Sequence, residues 1–236
     1  MKKTVVLFIM IMCMAGLTAC AKDGIDTFNT TGEDKPEKIH DNIDAENIQY
    51  VTLSGNARSI VIRQSAGEYF AFYNGDLNTA HVYEINCDEN GNTLDINIMM
   101  VNAKEDNDVL GSVILDVPQK EFEMFALTGD FQQIFLYTLN SDVLICECGA
   151  FVNIDLEADR LEHNITLDNS GSTAFTGVSV YLDKFPENVK MELNLLQGGT
   201  INDPQDILKE NGLASGAEKP VIRINDTEKI NIYRKE

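Results

Sequence analysis

From Ile48 onward, apolar and polar side chains alternate with a period of two in short runs. The clearest are Ser59-Ile60-Val61-Ile62-Arg63, Glu68 to Phe72, Leu94-Asp95-Ile96-Asn97-Ile98, Ser112 to Val117 and Val152-Asn153-Ile154-Asp155-Leu156. Asn164 to Leu167, Val178 to Leu182, Val189 to Leu195 and Val221 to Ile224 continue the series. A strand turns successive side chains to opposite faces, so this pattern predicts strands with one buried face. Turn formers punctuate the runs at Gly75-Asp76, Asn90-Gly91, Gly129-Asp130, Asn169-Ser170-Gly171 and Gly198-Gly199. Only Asp206 to Leu213, just after Asp203-Pro204, reads as a helix, and it is short. No long amphipathic helix is available to cover a parallel sheet in the α/β manner, so the predicted class is all-β.

The first residues follow a different pattern. Met1-Lys2-Lys3 is a short cationic start, Val5 to Leu17 is almost wholly apolar, and Leu17-Thr18-Ala19-Cys20 closes the run. Small side chains before a cysteine suit cleavage followed by lipidation of the new terminal thiol, and the combination resembles the bacterial lipoprotein signal. The apolar run falls short of the ~20 residues a spanning helix needs. Residues 1–19 are therefore expected to be a signal peptide and Cys20 a diacylglycerol-bearing residue. Two acyl chains suffice for stable anchoring where one is marginal, so the membrane is the first expected partner. Residues 20–46 are rich in charges, Gly and Thr and read as a flexible acidic linker, leaving 47–236 as the domain. The expected location is extracytoplasmic, on the outer leaflet of the bacterial membrane or at the cell surface.

Within the predicted domain, successive strand signals between residues 112 and 200 recur about every ten residues, which suits either a β-solenoid of short turns or an antiparallel β-sandwich. The choice between them rests on a resemblance. Ile60-x-Ile62 with Gln64-Ser65, then Gly91-Asn92-Thr93-Leu94-x-Ile96, then Val113-Ile114-Leu115-Asp116-Val117-Pro118 are similar in kind and order to a bacterial envelope family known as putative adhesins. Leu127-Thr128-Gly129-Asp130 and Cys148-Gly149 resemble that family's recurring turns. The likeness covers residues 47–201 and a last strand at 220–233, and it implies a repetitive, right-handed β-helix. The chain departs from the family in keeping few Ser-Gly-Asp turns, with Gln132-Gln133 after the first and Asn169-Ser170-Gly171-Ser172 in place of another. The family brings no catalytic residues to transfer.

Charge narrows the partners. Removing residues 1–19 takes Lys2 and Lys3 from 18 basic side chains and none of the 38 acidic ones, leaving a net charge of −22. Such a balance opposes nucleic acid and anionic lipid. Cys87, Cys146 and Cys148 are read as small buried hydrophobes, the last two on one face of a strand, since His81 and His163 stand at no metal-ligand spacing from them. Asp88-Glu89-Asn90-Gly91-Asn92 reads as a hairpin rather than a calcium loop, because Gly91 would be fourth where that loop needs it sixth. Glu105-Asp106-Asn107-Asp108 reads as a solvated loop, and Tyr69, Phe70, Phe72, Tyr73, Phe131, Phe135 and Tyr137 as core aromatics. No phosphate loop, nucleophile elbow or zinc-binding helix occurs in the sequence. The expected function is a binding or adhesin-like scaffold without enzymatic activity, catalytic residues, cofactor or metal. Its expected ligand is a surface glycan, a protein or another copy of itself. The alternative is a structural or regulatory envelope component acting through a protein partner.

Radiolabelled fatty acid should enter the protein in a bacterial host and disappear from Cys20→Ala, which should keep its signal peptide or leave the membrane. Label persisting in the variant would exclude Cys20 as the anchor.

Overall fold

The computed structural model describes residues 37–75, 83–100, 112–169, 174–182, 190–210 and 220–235. The expected signal peptide, Cys20, most of the expected linker, Asp76, His81, the Glu105–Asp108 loop and Ser170-Gly171-Ser172 lie outside these residues. The strands in chain order are β1 (Glu37–Asp44), β2 (Tyr50–Ser65), β3 (Tyr69–Asn74), β4 (Tyr83–Asn90), β5 (Thr93–Met100), β6 (Ser112–Pro118) and β7 (Phe122–Leu127). They continue with β8 (Asp130–Tyr137), β9 (Ser141–Ile145), β10 (Phe151–Leu156), β11 (Ile165–Leu167), β12 (Gly177–Leu182), β13 (Lys190–Asn202) and β14 (Val221–Arg234). Helical structure among the described residues is limited to a 3-10 turn at Ala158–Arg160 and one α-helical turn, α1 (Ile207–Glu210). Asp203 caps α1, accepting hydrogen bonds from the backbone N–H of Ile207 and Leu208, both at 2.8 Å.

The all-β class holds, but neither predicted architecture does. β2, β7, β9, β11, β14, β12, β10 and β8 pair in that order, and β8 returns to β2, so eight strands close a parallel barrel. Every neighbouring pair around the ring is parallel. β5 and β6 attach outside the ring on β2, β4 on β5, β3 on β6, β1 on β3, and β13 on β14. Among the described residues, antiparallel pairing is confined to these outer strands, at β1 with β3, β3 with β6 and β4 with β5. This rules out the antiparallel sandwich. The ring closes, in place of the expected right-handed solenoid, because two long strands each serve two neighbours. Tyr50–Leu53 of β2 pairs with β7 while Asn56–Ile62 pairs with β8. Likewise Ile222–Ile224 of β14 pairs with β11 and Ile230–Arg234 with β12. Alternation reports which face of a strand is buried and carries no information about which strands a long one joins.

Buried in-register rows run along the barrel strands and on to the outer strands β5 and β6. On one wall Leu94, Val51, Phe125, Val143, Ile165 and Ile222 stand opposite one another on successive strands. On the other wall the row is Val113, Ile60, Ile134, Val152, Val178 and Ile230. All twelve are buried. Strands lie ~4.8 Å apart, so each side chain packs on its neighbours above and below as well as across the barrel. Val152, Ile154 and Leu156 face inward as the alternation predicts. Pairing begins earlier than expected, because Glu37–Asp44 forms a bulged strand inside the segment read as linker and buries Ile43. Two register shifts break its alternation, which conceals it from a period-two reading.

The walls meet at corners where side chains have no room. Gly55 has φ +125° and Gly129 φ +133°. A Cβ on Gly55 would lie 1.9 Å from the Ile98 carbonyl oxygen, and one on Gly129 would lie 2.2 Å from that of Gly55. Glu147 and Asp226 turn equivalent corners, with φ 54° and 55°. At the next level, fully buried Asn169 bridges the chain. Its Oδ1 accepts from the Cys148 N–H at 3.1 Å and its Nδ2 donates to the Cys148 carbonyl at 2.7 Å.

Three variants test this architecture by denaturant melts. Ile154→Ala should cost about 2 to 5 kcal/mol, the range for truncating a large aliphatic in a core. Gly129→Ala should cost well over about 1 kcal/mol because backbone blocks the new methyl group. Gly91→Ala, where nothing lies within 4 Å, should show only the smaller penalty of its positive φ, about 1 to 2 kcal/mol. Equal losses at Gly91 and Gly129 would mean that the corners open without cost.

Candidate functional site

The inward positions of β8, β10, β12 and the second half of β14 are aliphatic, so period two sends the intervening side chains outward onto a single face. In one row Phe135, Asn153, Ser179 and Asn231 follow in register, with Asn202 of β13 at the end. In the next row stand Tyr137, Asp155, Tyr181 and Tyr233. A third row places Gln133, Phe151 and Gly177 in line. Gly177 is small for a reason: a Cβ there would come within 2.7 Å of the Phe151 ring, which lies across it.

Contacts within the face hold it rigid. The Tyr181 and Tyr233 rings stack with centroids 5.3 Å apart and planes 25° apart. Asn231 Nδ2 donates to Ser179 Oγ at 3.1 Å, and Asn202 Nδ2 donates to Asn231 Oδ1 at 3.3 Å. Ser179 and Asn231 are buried by their neighbours, whereas Phe135, Tyr137, Phe151, Asn153, Tyr181 and Tyr233 are half-buried and Asn202 is exposed. Asp155 forms an ion pair with Lys235. The only other charged group at the outward positions of the three rows is Lys229, which is exposed. A chain with a formal charge of −20 therefore carries a face with almost no net charge.

An open polar cleft of about 320 Å³ lies elsewhere, lined by Gln64, Gln119, Asn140, Asp159, Arg160 and Glu162. Its cation is engaged, since Arg160 donates to Gln64 Oε1 at 2.7 Å and to Glu157 at 3.2 Å. The nearby His163 is held by Asn140 at 3.0 Å and faces Asp142 at 3.6 Å. Among the described residues no group of three or more His, Cys, Asp or Glu could hold a metal ion.

Cys87, Cys146 and Cys148 are free thiols. Cys148 is buried and Cys87 half-buried, and burial first of all pushes each thiol up to about 12. Asp88 and Glu89 add to the shift at Cys87. Both therefore remain protonated and weakly nucleophilic at neutral pH. Cys146 is half-buried and also shifted up, again mainly by burial. Cys146 and Cys148 do not share a strand face as expected. β9 ends at Ile145, and the positive φ of Glu147 turns Cys148 into the core at the corner.

Asn90 pairs with Thr93 across a two-residue loop in which Gly91 has φ +67°, so Asp88 to Asn92 is the predicted hairpin, with Gly91-Asn92 at its tip. Phe70, Phe72 and Phe131 are core residues as expected, and Tyr69 is exposed. Phe135 and Tyr137, also expected in the core, point outward because they alternate with inward Ile134 and Leu136. The sequence reading did not single out Phe151, Tyr181 and Tyr233. The available signal was phase: each is an aromatic at a position where the alternation calls for a polar residue.

No family model matches the chain, and no curated protein matches it in sequence. Among solved structures the chain is similar to a putative cell adhesion protein from Clostridium sporogenes ATCC 15579. The two are 17% identical with a TM-score of 0.49, over 85% of this chain and 100% of that one. No residue role is carried over from it.

Proposed function

We propose that the protein is an extracytoplasmic binding scaffold of adhesin-like character, anchored to the membrane through lipid on Cys20, whose working surface is the outward face of β8, β10, β12 and β14. In this reading it is a binding module and not an enzyme. The observation that carries it is the concentration of Phe135, Tyr137, Phe151, Tyr181 and Tyr233 at outward positions of strands whose inward positions are aliphatic. The hydrophobic effect draws aromatic rings inward, and half-exposed aromatics gathered on a rigid surface are characteristic of recognition sites. The basic start, apolar run and terminal cysteine of residues 1–20 support export and anchoring.

A specific observation favours a second reading, a structural component that acts through a protein partner. Among the described residues β13 pairs only with β14, so one edge of a 13-residue strand lacks a strand neighbour, and Leu196 and Ile201 on it are exposed. Open edges of this kind accept partner strands.

Adhesion of cells displaying the full-length lipoprotein separates the two. Tyr137→Ala/Tyr233→Ala should reduce adhesion more than about tenfold, as for loss of aromatic anchors, at unchanged surface amount. Tyr69→Ala, which removes an exposed ring elsewhere, should leave it unchanged. Adhesion that survives the double variant but fails in Ile201→Lys would transfer the function to the β13 edge.

A further inference from the structure

Resting on the reading of this face as the working surface, we propose that its ligand is an uncharged polysaccharide. Pyranose rings would lie on Phe135, Phe151 and the Tyr181–Tyr233 stack, and their hydroxyls would meet Asn153 and Asn202.

Three features select that chemistry. Pyranoses present apolar C–H faces that pack flat on aromatic rings, and this face offers rings fixed on four adjacent strands. Sugar hydroxyls both donate and accept hydrogen bonds, and so does a side-chain amide, unlike a carboxylate or an ammonium group. Buried Asn231, bonded to Ser179 and Asn202, holds the amide row in place before any ligand arrives, which lowers the ordering cost of binding. The same chemistry steps across the sheet at ~4.8 Å per strand, so the surface is periodic in the direction a polymer would lie.

Charge excludes the polyanionic alternatives. Asp155 and Lys235 neutralise each other, leaving Lys229 as the one further charged group among the outward positions. With 38 acidic against 18 basic side chains over the whole chain, a polyuronate would be repelled. The face also differs from the centre of a protein interface. Interface cores are packed with apolar side chains, yet no Leu, Ile, Val or Met occupies an outward position of β10, β12 or the second half of β14.

The test uses the full-length lipoprotein in detergent micelles. The chain contains no Trp, so its emission reports tyrosines, and the Tyr181–Tyr233 stack is a built-in probe. It is titrated with a neutral β-glucan, a neutral xylan and chitin oligosaccharides, and with alginate as the polyuronate. Saturable binding to at least one neutral polymer and none to alginate is expected. Asn153→Asp and Phe151→Ala should weaken that binding about tenfold or more, and Tyr69→Ala, an exposed ring on β3 outside the face, should retain it. Asn153→Asp changes charge at constant shape, so it decides the matter if Phe151→Ala fails to fold. No binding to any of the three neutral polymers, or preference for alginate, overturns the proposal. If cell adhesion still depends on Tyr137 and Tyr233 in that case, the face remains the working surface and its ligand is a protein. Glycan binding that ignores Asn153→Asp and Phe151→Ala overturns the location.

Discussion

The architecture depends on the close approach of backbones at the corners where β2 and β14 pass from one wall to the other. A β-carbon on Gly129 would strike the Gly55 backbone and one on Gly55 the Ile98 backbone, and Asn169 spans the next corner with two hydrogen bonds to Cys148. These contacts fix where each strand stops serving one wall and starts serving the other. Without them β2 could not pair with β7 through its first half and β8 through its second, and the ring would not close. Closure removes free edges from the barrel and leaves them to the outer strands.

The same constraint produces the candidate binding face. The parallel strands pair in register although the corners that join them differ in length, so residues at equivalent positions form straight rows on both surfaces of the wall. Inside, the rows are Val, Ile, Leu and Phe and supply the core. Outside, they bring Phe135 beside Asn153 and Tyr181 beside Tyr233, although these residues are far apart in sequence. A one-residue slip would send Val152 and Val178 to solvent and Phe151 and Gly177 inward, so the cost of exposing the core enforces the outward order. Rigidity at the face is inherited from the interior.

The strands that alternate cleanly and the Asn90-Gly91-Asn92 hairpin are legible in the sequence because each is set by local pattern, whereas β7 gives no clean run and β8 is read in the wrong phase, with Phe135 and Tyr137 assigned to the core. Inward Val152, Ile154 and Leu156 are the direct result of period two. Barrel closure was not legible, since successive parallel strands joined by short corners produce the same ten-residue rhythm whether or not the ends meet. β1 is hidden by its bulges, and spacing alone puts Cys146 and Cys148 on one strand face because nothing in it reveals the positive φ at Glu147. Half of the binding face was readable in principle. Phe151, Tyr181 and Tyr233 sit at polar-phase positions, but the rows that unite them exist only once register is known.

Charge and face fit together on the same reasoning. Glu46, Glu68, Asp88, Glu89, Glu121 and Glu162 are exposed at or beside the turns and strand ends, and Glu157, also exposed, directly follows the end of β10 beside the outward rows. A large net negative charge repels anionic surfaces and other anionic molecules at long range. Exposed like charges more than about 8 Å from a ligand are largely screened at physiological ionic strength. An uncharged ligand feels little of that field in any case, while an acidic one at the face is opposed by the carboxylates within that distance of it. On the proposed reading, the acidic groups that border this aromatic-lined wall disfavour anionic ligands, although the one carboxylate in its rows, Asp155, is paired with Lys235.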